Sequence, residues 1–166
     1  MSTESMYQEI ILDHYRHPHH HGLRDPFDTE VHHVNPTCGD EVTLRVKVAA
    51  GAGDNAGALV VEDVSYESEG CSISQASASV MTDLVIGRPV ADALATEREF
   101  AELMQSRGQL EPDEEVLEDA IAFAGVSKYP ARVKCALLGW MAWKDAVTQA
   151  LESTSAAASQ GSGDQA

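Results

Sequence analysis

Glu41-Val42-Thr43-Leu44-Arg45-Val46-Lys47-Val48 decides the fold class. Val42, Leu44, Val46 and Val48 fall on one side of an extended chain, with Glu41, Thr43, Arg45 and Lys47 on the other. A two-residue period of this kind marks a strand with one face in a core and the other toward water. Residues 49–57, rich in Gly, Ala, Asp and Asn, predict a hairpin turn. Residues 59–67 predict the returning strand, although Glu62 and Asp63 interrupt its pattern. On the N-terminal side, residues 31–34 fit a further short strand.

Past Cys71 the period changes. Residues 72–86 predict a helix with Ile73, Ala76, Val80, Leu84 and Val85 on its apolar face, closed by Gly87. More helices are expected over 91–107, broken at Gly108, and over 112–123, with Pro112 in the first turn and Gly125 at the end. The last begins near Pro130 and buries Val133, Leu137, Trp140, Val147 and Leu151, with Lys144 on the same line. Upstream, Met6, Tyr7, Ile10, Ile11 and His14 predict a helix over 6–16 that Pro18 ends. Strands come early and helices late. The expected class is therefore α+β, a small antiparallel sheet of about three strands packed against several helices. Residues 1–151 are expected to form one domain. Residues 152–166, mostly Ser, Ala, Gly and Gln, predict a disordered tail.

The formal net charge of −16 argues against nucleic acid as a partner, since phosphate neutralisation needs clustered Lys and Arg. It also disfavours anionic membranes. The acidity suits a protein that meets other proteins, and it suits simple solubility equally. The N-terminus has no basic patch followed by an apolar run, and no apolar stretch approaches the ~20 residues that span a bilayer. The expected location is cytoplasmic, where thiols stay reduced.

In that setting three cysteines are metal ligands or reactive thiols rather than staples, and their odd number argues against a closed disulfide set. Cys38 and Asp40 flank Gly39 just before a strand, and glycine lets such a turn aim both side chains at one point. Cys71 lies between a strand and a helix. Cys135 lies in the opening turns of the last helix, with Arg132 one turn earlier and Lys134 beside it. Helix N-termini favour anionic sulfur. Three thiolates and the Asp40 carboxylate meet the four-ligand count of a closed zinc site, but thiolates serve iron–sulfur clusters as well. Spacing alone also leaves open that these are buried core cysteines.

Other features have plainer readings. His17, His19, His20 and His21 form either a metal tract or, more commonly for such a run, a solvated loop. His32 and His33 read as packed or exposed residues rather than ligands. Trp140 reads as core, and Trp143 as core or an exposed partner contact. The carboxylates of 111–119 read as a solvated helix face and not as a glycosidase pair.

Three separated motifs carry a resemblance. Asn35-Pro36-Thr37-Cys38-Gly39-Asp40, Gly70-Cys71-Ser72-Ile73-Ser74-Gln75-Ala76-Ser77-Ala78-Ser79 and Tyr129-Pro130-Ala131-Arg132-Val133-Lys134-Cys135-Ala136-Leu137-Leu138 resemble the iron–sulfur assembly proteins of the IscU/NifU N-terminal family, over about residues 6–151. Within that family the chain is similar to the SufU branch. Cys71 and Cys135 are 64 positions apart (135 minus 71), longer than in the IscU type. No histidine stands directly before Lys134-Cys135, and none of the seven histidines lies beyond His33.

The resemblance implies a zinc site of Cys38, Asp40, Cys71 and Cys135. It implies a sulfur-accepting role for Cys38 and a supporting one for Arg132. The implied partners are a SufS-type cysteine desulfurase, which holds the pyridoxal phosphate, and downstream iron–sulfur assembly proteins. In this expectation the protein is a zinc-dependent sulfurtransferase that works with a separate enzyme. Two alternatives remain: a scaffold on which an iron–sulfur cluster is built, and a protein in which zinc only stabilises the fold.

Overall fold

The central strand is the one whose alternation is cleanest. In a computed structural model, which describes residues 3–37 and 39–163 with side chains through Thr154, that strand (β2) spans Asp40–Ala50. Val42, Leu44 and Val46 are buried on its inner face, while Thr43, Arg45 and Lys47 are half-buried on the other. β1 (Thr29–Asn35) and β3 (Leu59–Glu69) flank it, both antiparallel, in the order β1-β2-β3. The Glu62-Asp63 interruption has a structural cause. Pairing steps from Lys47 opposite Asp63 to Val48 opposite Val61, so Glu62 is the extra residue of a β-bulge. Its carboxylate meets the Lys47 ammonium at 2.6 Å.

The helices are α1 (Thr3–Arg16), α2 (Ser72–Val85), α3 (Val90–Gln105), α4 (Glu114–Leu117) and α5 (Pro130–Gly163). α5 lies across β1 and β2, α2 packs on α5, and α1 covers α2. Sandwiched in this way, α2 buries Ser74, Ser77, Ser79 and Thr82 together with its apolar face. The buried hydroxyls are bonded: Ser77 donates to the Ala136 carbonyl at 2.6 Å and accepts the Trp140 indole N–H at 3.2 Å. Trp140 also stacks on Phe100, with ring centroids 4.6 Å apart. Trp143 is fully buried, which settles its reading as core.

Three expectations change. The helix expected over 112–123 is divided. Asp113 caps Glu115 N–H and begins α4, but Glu118 sits at φ 45°. An α-helix cannot continue through that conformation. The chain resumes as a tighter 3-10 helix, Glu118–Lys128, running past Gly125. The carboxylates there are not all solvated spectators either, since Asp119 bonds His14. Finally, the backbone is helical to Gly163, so regular structure extends beyond Leu151 into the expected tail. Among the described side chains, Ala150 is the last that is buried.

The segment between α1 and β1 shields the edge of β3. Gly22 N–H donates to the Tyr66 carbonyl (2.7 Å), and Arg24 pairs with Asp63 at 2.6 Å. His33 links β1 to α5 through Asp145 (2.8 Å), a hydrogen bond that holds the Asp145 carboxyl below its ordinary range. Among the described residues no helix is long and apolar enough to cross a membrane.

Replacing Trp140 removes both the stack and the Ser77 bond. Trp140→Ala is expected to lower the unfolding free energy by about 3–5 kcal/mol, measured by urea denaturation.

Candidate metal centre

The β1–β2 turn, the β3–α2 junction and the start of α5 meet at one end of the sheet. At the turn, Asn35 and Asp40 pair across the last register position. The Asn35 side-chain oxygen accepts Thr37 N–H (3.2 Å), and its carbonyl accepts Gly39 N–H (2.8 Å). Gly39 has φ +74°, a conformation that suits glycine. Cys38 lies outside the described residues.

Asp40, the first residue of β2, is 2% exposed. A carboxylate this buried is costly without partners. One of its oxygens accepts Cys71 N–H at 3.0 Å, and the other lies 3.5 Å from Cys71 Sγ. The approach depends on Gly70, at φ +147°, because a Cβ there would collide with the Asp40 carboxylate. Cys71 N-caps α2 in extended conformation. Its thiol also faces the Ser74 hydroxyl at 3.9 Å, and that hydroxyl is anchored on the Cys71 carbonyl at 3.0 Å.

Cys135 arrives from α5. It is 5% exposed, with its thiol 3.7 Å from the Ala131 carbonyl. The Ser77 bonds to Ala136 and Trp140 fix α5 against α2, next to Cys135 on α5 and under two turns from Cys71 on α2. Gly139 completes that contact: a Cβ there would lie 3.0 Å from the Ala78 Cβ. Single donor atoms of Asp40, Cys71 and Cys135 all fall within 4.8 Å of one another. Cys71 is exposed and the other two are buried, so the cluster opens to solvent on the Cys71 side.

Arg132 and Lys134 are exposed on the opening turns of α5. Of the histidine run, His21 borders this end in a cleft it lines with Glu41 and Glu69, but among the described residues no histidine joins the donor group. His17 pairs with Asp13, His20 with Arg24, and His21 stacks edge-on against Tyr66. Sequence reasoning did not single out Gly70, Ser74 or Asn35 as shaping the site. The available signal was the Asn-Pro pair ahead of Cys38 and the glycine directly before Cys71.

Two thiols and a buried carboxylate form a mixed sulfur–oxygen donor set. Such a set suits zinc, and its sulfurs suit iron.

Comparison with known proteins agrees with the geometry. The NifU-like N-terminal domain matches residues 6–136. The chain is 41% identical over 142 residues, 86% of its own length and 82% of the relative's, to a Streptococcus pyogenes protein named iron-sulfur cluster assembly scaffold protein IscU. It is 40% identical over 150 residues, 89% and 93% of the two lengths, to the zinc-dependent sulfurtransferase SufU of Bacillus subtilis. A crystal structure of a putative iron-sulfur cluster assembly scaffold protein for the SUF system from Fervidobacterium islandicum superposes with a TM-score of 0.69 at 33% identity. It spans 87% of this chain and 98% of that one. A NifU-like N-terminal structure from Brucella abortus gives 0.76 at 27% identity, over 90% and 96%. The convergence of three distant sequence motifs at one end of an α+β sheet thus has a family behind it: this chain belongs to the NifU-like N-terminal domain family, among relatives named for iron–sulfur cluster assembly or zinc-dependent sulfur transfer.

Proposed function

We propose that this protein is a zinc-dependent sulfur acceptor in iron–sulfur cluster assembly. It takes persulfide sulfur from a separate, SufS-type cysteine desulfurase and passes it to downstream assembly proteins. The observation that carries the proposal is the convergence of Asp40, Cys71 and Cys135. We assign the fourth ligand to Cys38, two positions from Asp40. Bound zinc would hold these sulfurs as thiolates and protect them from oxidation.

The residues have distinct parts. Asp40 is oriented by the Cys71 N–H, so one oxygen is engaged and the other faces the Cys71 thiol. Cys71 and Cys135 hold their places through two packed helices. Cys38 is the sulfur acceptor. Its thiolate attacks the outer sulfur of the enzyme persulfide, the enzyme's S–S bond breaks, and the enzyme cysteine leaves as thiolate. One S–S bond forms as one breaks, so the step is redox-neutral. Arg132, exposed one turn before Cys135, supports the step by attracting the anionic persulfide. The unit at work is 1–151, and the setting is a reducing cytoplasm.

A scaffold that assembles and releases a cluster is the second reading, favoured by the names of the Streptococcus and Fervidobacterium relatives. Against it stands the start of α5. Arg132-Val133-Lys134-Cys135 offers no histidine as an additional cluster ligand.

Desulfurase turnover separates the two. Zinc-loaded protein is expected to stimulate a SufS-type enzyme severalfold, and zinc-stripped protein or Cys38→Ser to give no stimulation. Persulfide loading retained in Cys38→Ser contradicts the assignment, as does a stable coloured cluster on anaerobic reconstitution. Gly70→Ala is expected to dislodge Asp40 and weaken zinc binding about 10–100-fold, read by competition with a chromophoric chelator while circular dichroism stays unchanged.

A further inference from the structure

One cluster of ligating side chains lies away from the centre described above, at the junction of α1, α2 and the 3-10 helix. His14, on the last turn of α1, is 2% exposed. Its Nε2 lies 3.0 Å from Asp119 Oδ2, and its Nδ1 lies 2.8 Å from the Ser79 hydroxyl. His19, in the loop just beyond, meets Asp83 Oδ2 through Nδ1 at 2.6 Å. The two imidazole rings are 4.7 Å apart. Single donor atoms of His14, His19 and Asp83 fall within 4.8 Å of one another. Asp83 and Asp119 line the same cavity, of about 170 Å³.

We propose that His14, His19, Asp83 and Asp119 form a second metal site, which takes a divalent first-row transition ion through nitrogen and oxygen donors only. The chemistry of the donors supports this. Imidazole and carboxylate suit zinc, cobalt, nickel and iron in their divalent states. At 3.0 and 2.6 Å the His14–Asp119 and His19–Asp83 pairs are hydrogen-bonded, and an ion bound tetrahedrally at about 2.0–2.1 Å would replace the shared proton and spread each pair to ~3.3 Å. Asp119 stands outside the group of three and joins it through His14; with His19, Asp83 and Asp119 each at least 40% exposed, there is room for the side-chain rotations that would bring all four onto one ion.

A supporting residue is also in place. Ser79 faces His14 Nδ1 and accepts the His19 backbone N–H at 2.8 Å. One hydroxyl thus fixes the ring of the first histidine and the backbone of the second, as the outer partners of metal-ligating histidines do. Ser79 and Asp83 are four residues apart on α2, one turn, so a single helix presents both. The site would clamp the N-terminal helix and the histidine loop onto α2, giving one member of the 17–21 run a role its neighbours lack.

Cobalt titration of the full-length reduced protein tests this. Two equivalents are expected. One brings the intense near-ultraviolet absorption of thiolate-bound cobalt, and the other brings only weak visible bands. His19→Ala and Asp83→Asn, both at exposed positions, are each expected to abolish the second equivalent and leave the thiolate absorption unchanged. Ser79→Ala is expected to weaken the second site about 10–100-fold. A single thiolate-bound equivalent in the wild type would overturn the proposal. So would a second equivalent indifferent to both His19→Ala and Asp83→Asn, and in that case the two histidine–carboxylate pairs are hydrogen bonds alone. Binding with weak visible bands but no thiolate absorption supports this site and counts against the thiolate centre, so the two failures are distinguishable.

Discussion

The Asp40 carboxylate is the joint on which the candidate centre rests. It begins the central strand, is almost wholly buried, and receives the N–H of the residue that caps α2. A buried carboxylate without partners costs several kcal/mol, so the fold holds this one only where the turn, the strand end and the helix start coincide. Gly70 makes the coincidence possible by leaving no side chain between them. That one contact ties the β1–β2 turn to the α2 N-terminus and brings a sulfur and an oxygen donor within 3.5 Å.

The third donor depends on helix packing rather than on local chain geometry. Cys135 is 64 residues from Cys71 in sequence, yet α5 is held to α2 by the Ser77 hydroxyl, the Trp140 indole and the close approach of Gly139 to Ala78. Small residues let the backbones approach, and the buried Ser77 hydroxyl is satisfied across the contact by the Ala136 carbonyl and the Trp140 indole N–H. Packing therefore sets donor spacing. A core substitution at Trp140 acts on the centre at a distance, whereas Gly70 acts on it directly. The second cluster follows the same logic at the other end of α2, where Ser79 and Asp83 face α1.

Much of this was legible in the residues. The alternation of 41–48 identified the central strand and its buried face, and the period change after Cys71 located α2 to within a residue. The bulge announced itself as an unexplained Glu62-Asp63 interruption. The α4 region was misread because its helical composition continues through Glu118, and nothing local signals the φ of 45° there. The role of Asp40 as a buried acceptor was likewise invisible, since burial is decided by where α2 starts. His14 was correctly placed on the inner stripe of α1, but its partners Ser79 and Asp119 are 65 and 105 residues away and belong to tertiary structure alone. The histidine run looked uniform in sequence, and only the structure separates His19 from its neighbours.

Cadmium-113 NMR of the reduced, full-length protein addresses the central claim most directly, because the cadmium frequency reports how many sulfurs surround the ion. A resonance is expected in the thiolate range that moves toward the nitrogen–oxygen range when Cys71, and separately Cys135, is changed to Ser. No resonance in the thiolate range, or one that neither substitution moves, would contradict the claim.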